Sequence, residues 1–197
     1  MEISYLNLIT LITLIISIVM LYLIIILSKK IELLLSLSDD KVAQLYKDNK
    51  LKKTKIELLN DEKYYYYVLN TIMSAKKEIN VIMFSMYRCK KTEDLMNELI
   101  NARKRGVMVR VILDGEVESN KPLKHLFSSE RIPVKLTYHQ RTHNKLIIID
   151  DDIVVLGSHN WTDKALFENR ESSVAIIDKK IVKKEKSYFE LLWGSIK

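Results

Sequence analysis

The sequence predicts an α/β domain with a mixed sheet covered by helices on both faces, preceded by one N-terminal transmembrane helix. Two observations carry this prediction. One long uncharged apolar run lies at the start of the 197-residue chain, and short β-branched runs alternate with helical stretches from residue 55 onward. The chain contains only 4 Gly, 2 Pro and 1 Cys, which excludes collagen-like sequence, low-complexity disorder and a disulfide or Cys-rich zinc framework.

The apolar run covers residues 3–28 and contains no charged residue. At about 1.5 Å per residue it would span roughly 39 Å, more than a hydrocarbon layer of about 30 Å requires. A cleaved signal peptide is disfavoured because the chain begins Met1-Glu2 and the run is followed by Lys29 and Lys30 instead of small residues. Lysines follow the run and none precedes it, so we expect the rest of the chain on the cytoplasmic side.

Residues 29–54 are interpreted as a charged helical connector without Gly or Pro. Ser38-Asp39-Asp40 is typical of a helix start, so this stretch predicts the end of one helix and the capped start of another. The apolar positions Ile31, Leu34 and Leu35 suit pairing with a second copy. They suit equally a helix that lies at the membrane surface with its lysines on lipid phosphates.

Residues 55–197 carry the α/β pattern. The predicted strands are Ile79 to Met83, Val107 to Leu113, Leu146 to Ile149, Ile153 to Leu156 and Ser173 to Ile177. The predicted helices are Tyr64 to Lys77, Glu93 to Arg105 and Lys179 to Leu192. The four tyrosines from Tyr64 to Tyr67 begin the first helix, and we expect them to serve packing and surface roles instead of base stacking.

The chemistry is concentrated between residues 143 and 171. His143 and Lys145 lie two residues apart at the start of a strand, so both project from the same face. Asp151-Asp152 between two apolar runs predicts a tight turn, after which the second strand runs antiparallel to the first. That return brings Ser158 and Asn160 beside the imidazole and the ammonium.

Such a group of side chains suits attack on the phosphorus of a phosphodiester. A neutral imidazole can act as nucleophile, while a lysine, an amide and a hydroxyl hold the non-bridging oxygens. The arrangement requires no metal and no cofactor. The carboxylates of Asp150, Asp151 and Asp152 are not expected to form a metal site, because adjacent strand residues point to opposite faces and a turn explains two of them.

The string H-x-K-x4-D-x6-G-S-x-N resembles the signature of the phospholipase D superfamily. Its fixed positions are His143, Lys145, Asp150, Gly157, Ser158 and Asn160. The order of predicted elements from residue 55 to 195 is similar to the small single-motif branch, which includes bacterial endonucleases and mitochondrial membrane-anchored members. The resemblance implies a phospholipase D-like α/β/α sandwich with a mixed sheet.

The resemblance also implies a mechanism and an assembly. One histidine attacks phosphorus to form a phosphohistidine, and a second histidine protonates the leaving oxygen. Because the chain has one motif, this implies a homodimer in which His143 of two copies share one site with Lys145 and Asn160. Glu171 is the candidate to orient or polarise His143, whereas Asp150 and Gly157 are structural positions of the motif.

The sequence leaves two classes of phosphodiester substrate open. Residues 61–197 hold 24 Lys and Arg against 19 Asp and Glu, which together with the single-motif branch favours a metal-independent endonuclease on DNA or RNA. The membrane anchor favours the alternative, a phospholipase D-type hydrolase of membrane phospholipids. A third possibility is a catalytically inactive membrane scaffold that binds phosphates. Synthases of the superfamily normally carry two motifs, which disfavours cardiolipin synthesis.

Overall fold

The computed structural model describes residues 5–50, 54–90 and 92–196. It contains a helical unit that ends at residue 53 and a compact α/β unit that begins at Thr54. The division lies one residue from the boundary that the sequence predicts. Residues 3 and 4 of the predicted membrane span, and residues 51–53 of the connector, lie outside the described residues.

The helical unit is one helix, α1, over Tyr5–Lys50. Its Leu14–Lys41 portion is long and apolar enough to cross a membrane by length and composition. The predicted break at Ser38-Asp39-Asp40 is wrong, because α1 runs through it. No Gly or Pro interrupts α1, and a serine hydroxyl inside it, that of Ser36, donates to the Leu33 carbonyl at 2.9 Å without ending the helix.

The α/β unit is built on a seven-stranded mixed sheet in the order β1-β7-β6-β5-β2-β3-β4. The strands are β1 (Lys55–Asn60), β2 (Glu78–Met83), β3 (Met108–Asp114), β4 (Val134–Thr137), β5 (Lys145–Ile149), β6 (Ile153–Gly157) and β7 (Ser172–Ile177). The helices are α2 (Lys63–Ser74), α3 (Glu93–Lys104), α4 (Lys121–Ser129), α5 (Asp163–Phe167) and α6 (Lys179–Ser195). Strands β2, β3 and β4 are parallel, and the remaining pairs are antiparallel.

Both faces of the sheet carry helices, as the sequence predicts. The larger core lies between the sheet and α2 to α5, and includes Val68, Leu99, Phe127 and Leu166. The smaller core lies under α6, where Val182 and Phe189 pack on β2, β3, β5 and β6. The pattern does not predict α4 and α5, since helices of nine and five residues give little periodicity.

The tyrosine run packs as expected. Tyr64 is buried and accepts a hydrogen bond from the Trp161 indole N–H at 3.0 Å. The Tyr65 hydroxyl donates to Asp94 on α3 at 2.9 Å, whereas Tyr66 is exposed. These tyrosines therefore join α2 to its neighbours and to the segment after β6.

Candidate active site

The predicted site residues gather at one edge of the sheet. β2, β3 and β6 end at this edge, whereas β5 and β7 begin there. His143 lies two residues before β5, Asn160 follows β6, and Glu171 directly precedes β7. The β5–β6 turn at Asp150 to Asp152 lies at the opposite edge, because the two strands are antiparallel.

The centre of the site is a lysine held on an imidazole. The Lys145 Nζ lies 3.3 Å from His143 Nδ1 and 3.4 Å from Nε2, and it donates to the His143 carbonyl at 3.0 Å. His143 is exposed, whereas Lys145 is buried. Burial lowers the pKa of Lys145, and the negative charge of Glu171 opposes that shift. The Lys145 ammonium therefore lies beside the His143 ring, where an anionic phosphate would bind.

Asn160 lies at the same edge on the turn that follows β6. Its Oδ1 accepts from the Ser85 backbone N–H at 3.3 Å, and the Ser85 carbonyl accepts from the Trp161 N–H at 3.1 Å. In the part of the chain that the structure describes, the Asn160 NH₂ group has no hydrogen-bond partner. This fixes the amide with its donor end available for an anionic oxygen.

The side chains of Ser158 and Glu171 bind groups other than His143. The Ser158 hydroxyl donates to the Ser172 carbonyl at 3.2 Å and accepts from the Ser172 N–H at 3.0 Å, so it bridges β6 to β7. The Glu171 carboxylate accepts from the Asn169 side chain at 2.9 Å. Among residues 54–90 and 92–196 this carboxylate makes no hydrogen bond to His143. Its negative charge instead acts on Lys145, whose pKa it raises.

Asp150 and Gly157 hold the strands of the motif. Asp150 accepts from the backbone N–H groups of Lys76, Lys77 and Glu78 at 2.7–3.3 Å, and its φ of 52° places it in the turn. A Cβ at Gly157 would lie 2.4 Å from the Cα of Ser173 on β7. The β5–β6 hairpin therefore requires a carboxylate at its turn and a residue without a side chain at the end of β6.

Two buried side chains that hold the loops around the site by hydrogen bonds were not predicted from the sequence. Asn120 donates to the carbonyls of Phe84 and Asp114 at 2.8 Å each, and accepts from the Met86 N–H at 2.9 Å. Asp114 accepts from the Thr142 N–H at 2.8 Å, directly before the catalytic candidate His143. Asp114 directly follows a predicted strand, but nothing local in the sequence signals either contact.

His159, the variable position of the motif, points into the core. It is fully buried, stacks on Tyr64 at 4.2 Å, and lies 2.7 Å from the Ser173 hydroxyl through Nδ1. Burial lowers its pKa, so the ring is neutral at pH 7. Its side chain points away from that of Ser158, as alternation along an extended chain requires.

The carboxylates considered for a metal have other partners. Asp150 caps backbone N–H groups, Asp151 pairs with Lys186 at 3.2 Å and Lys77 at 3.5 Å, and Asp152 pairs with Lys179 at 3.7 Å. Within the described ranges, no three His, Cys, Asp or Glu side chains come together in a way that could hold a metal ion.

Known proteins with a similar sequence or structure share this fold. A family model described as "Cardiolipin synthase, PLD-like domain" matches residues 68–193. The chain therefore belongs to the phospholipase D superfamily of phosphodiesterases. Its fold is similar to that of the phospholipase D family member Nuc from Salmonella typhimurium, with a TM-score of 0.67 and 24% identity over 74% of this chain and 97% of that one.

Two curated relatives give similar matches. A mitochondrial cardiolipin hydrolase of Xenopus tropicalis is 28% identical over 148 residues, covering 73% of this chain and 67% of the relative. A phospholipase D of Rickettsia prowazekii is 34% identical over 122 residues, covering 58% of this chain and 55% of the relative. The chain thus spans between about half and two thirds of the length of these relatives.

Proposed function

We propose that the chain is a membrane-anchored phosphodiesterase that cleaves DNA or RNA through a phosphohistidine intermediate, without a metal ion. The observation that carries the proposal is the Lys145 ammonium within 3.4 Å of both nitrogens of the exposed His143 ring. A phosphate bound there meets a nucleophile and a cation, and the free amide end of Asn160 lies at the same edge of the sheet. These are the groups that in-line displacement at phosphorus needs.

The reaction divides into two balanced steps. In the first, a ring nitrogen of His143 bonds to phosphorus, the P–O bond to the leaving group breaks, and the same histidine of a second copy gives a proton to that oxygen. In the second, water attacks phosphorus, the P–N bond breaks, and the second histidine takes the proton from water. Lys145 and Asn160 hold the non-bridging oxygens, whose charge grows in both transition states.

We infer that a second copy would bind on the α6 side of the sheet, where apolar side chains of β1 and β7 are exposed or partly exposed. Ile56 and Leu58 of β1 are 60% and 64% exposed, and they pair across the strands with the partly exposed Ile176 and Val174 of β7. This apolar face continues to Leu156 of β6, which directly precedes the Gly-Ser element of the motif. An interface on this face is continuous with the site that needs the second histidine.

Replacing Leu58 by lysine is expected to reduce dimerisation and activity together, because a charge then enters the apolar face. Sedimentation of the full chain in detergent reports the dimer, and turnover is measured on the same sample. The matched control is Met73→Lys on α2, since Met73 is 54% exposed and lies on the other side of the sheet. Unchanged dimer and turnover in Leu58→Lys would contradict this interface.

Nucleic acid is the substrate that we favour, because the 24 Lys and Arg against 19 Asp and Glu in residues 61–197 suit a polyanionic strand. A membrane phospholipid is the second candidate. It is favoured by the apolar helix α1 and by the relatives that are named cardiolipin hydrolase and phospholipase D. In both cases α1 would anchor the chain with its α/β unit on the cytoplasmic side.

The deciding experiment is an assay of the detergent-solubilised full chain on oligonucleotides, phosphatidylcholine and cardiolipin, each with and without excess chelator. We expect the oligonucleotides to be cut at equal rates in both conditions, since the nucleophile and the cation are side chains. Loss of cleavage on chelation would refute the metal-free mechanism. Turnover of a lipid without any nuclease activity would select the second candidate, and no turnover at all would leave a phosphate-binding scaffold.

A further inference from the structure

We propose that Arg141, held on the ring of Phe84, forms a second phosphate subsite beside His143 that takes the neighbouring phosphate of a nucleic-acid strand. The subsite deepens the function proposed above and rests on it for the position of the scissile phosphate. Neither residue belongs to the motif. Phe84 directly follows β2, and Arg141 lies two residues before His143.

Three groups of the site surround the Phe84 ring. The His143 ring lies 4.4 Å away between centroids, the Lys145 Nζ 4.8 Å and the Arg141 guanidinium carbon 5.3 Å from the Phe84 centroid. Cations at these distances are attracted to the face of an aromatic ring. The phenyl ring therefore fixes Arg141 at the same edge as the catalytic pair.

The backbone supports this placement. Phe84 donates its N–H to the Asn144 carbonyl at 2.8 Å, which joins the end of β2 to the segment before β5. The buried Asp114 carboxylate accepts from the Thr142 N–H, so the residue between Arg141 and His143 is held as well. Arg141 is thus a side chain on a fixed backbone, although its own surface is exposed to solvent.

The charge of Arg141 is not compensated by the protein. Arg88 pairs with Glu93, Arg105 with Glu98 and Arg170 with Asp61. Among the residues for which the structure gives side chains, no carboxylate forms an ion pair with Arg141. An arginine fork binds phosphate oxygens through two parallel hydrogen bonds, and it is less strongly hydrated than lysine. An exposed guanidinium of this kind at the site is suited to a phosphate group.

Lys145 and Asn160 already serve the scissile phosphate, which leaves the Arg141 guanidinium for a neighbouring one. The distances to Phe84 allow the Arg141 guanidinium carbon to lie at most about 10 Å from the His143 ring centroid. Successive phosphates advance by about 3.4 Å along one strand of a duplex, and by more in an extended strand. A phosphate one to about three nucleotides from the scissile one is therefore within reach of Arg141, whereas a substrate with a single phosphate offers no second phosphate.

The test compares Arg141→Gln with the wild type in the full chain. Bis(para-nitrophenyl) phosphate supplies one phosphate, and a short single-stranded oligonucleotide supplies several. We expect kcat/KM on the oligonucleotide to fall by about tenfold or more, as for loss of a charge-assisted hydrogen bond, and kcat/KM on the single-phosphate diester to fall much less. The salt dependence of oligonucleotide binding should lose about one unit of slope.

The matched control is Arg131→Gln, which removes the same charge from the turn before β4 at the opposite edge of the sheet. It should leave both substrates unaffected. An equal loss on both substrates, or no loss on either, in Arg141→Gln would overturn the subsite. A loss on cardiolipin, which carries two phosphates, without one on the oligonucleotide would overturn its assignment to nucleic acid.

Oligonucleotide binding is also measured in a His143→Asn background, where turnover is removed. Weaker binding on adding Arg141→Gln supports the subsite even if the wild type cleaves no nucleic acid, a result that would refute only the proposed nuclease function. Equal binding with and without Arg141 would overturn the subsite even if the nuclease function holds.

Discussion

Replacing His143 by asparagine is expected to lower turnover of every phosphodiester substrate by about a thousandfold or more, because in the proposed mechanism this imidazole forms the bond to phosphorus. His143 is exposed at the edge of the sheet, so its replacement should leave the fold intact. Initial rates of the full chain in detergent measure the loss, and circular dichroism with a thermal melt checks the structure.

The control for this variant is His125→Asn. His125 is exposed on α4 and lies outside the motif, so its loss should leave turnover unchanged. A His143→Asn chain that stays within tenfold of the wild type would show that another group is the nucleophile. That result would also remove the reason for a shared dimeric site.

Lys145→Met should show a comparable effect for a different reason. The variant keeps most of the length of the side chain, but it removes the cation that lies beside the His143 ring and over the Phe84 ring. Removal of one preorganised donor to a developing charge typically costs about 10²–10³ in kcat. Lys145→Met with wild-type turnover would reject the assignment of this lysine to the phosphate.

The relative positions of the motif residues were predictable because they depend on local rules. Alternation along a strand places His143 and Lys145 on one face, and the Asp-rich turn folds the next strand back beside them. The structure has both features, with Leu146 opposite Leu156 across the hairpin. The same alternation accounts for His159, whose side chain leaves this face and is buried.

Contacts between distant segments were not predictable in the same way. Asn120 binds the loop after β2 from a short helical turn far along the chain, and Asp114 holds Thr142 across 28 positions. Phe84 contacts three groups of the site only because β2 pairs with β5. These contacts follow from sheet order, which no local pattern of residue types encodes.

Local signals also gave one wrong element and one incomplete assignment. Ser38-Asp39-Asp40 has the residue types of a helix start, but helix propagation through a Gly- and Pro-free segment prevails and α1 continues. Ser158 was assigned to the phosphate, and the structure shows its hydroxyl bridging to the Ser172 backbone. A hydroxyl both donates and accepts, so its position in a motif does not fix its partner.

Gly157→Ala is expected to destabilise the chain by about 3 kcal/mol or more, at the upper end of what overpacking costs. A Cβ at this position would lie 2.2 Å from Ser173 Oγ, 2.4 Å from Ser173 Cα and 2.5 Å from the Ser172 carbonyl oxygen. Two of these three atoms belong to the backbone of β7, which is paired with β1 on one side and β6 on the other. The backbone cannot yield without loss of strand pairing, so the clash must separate β6 from β7.

Gly194→Ala is the matched control for this prediction, because a Cβ at Gly194 of α6 would meet nothing within 4 Å. There the same substitution should stabilise the chain by about 0.5–1 kcal/mol, since glycine is the poorer helix residue. Urea unfolding of the full chain in detergent compares the two variants with the wild type. If Gly157→Ala unfolds at the wild-type midpoint, the glycine of the motif is not required by the approach of β7, and its place beside Ser158 must have another cause.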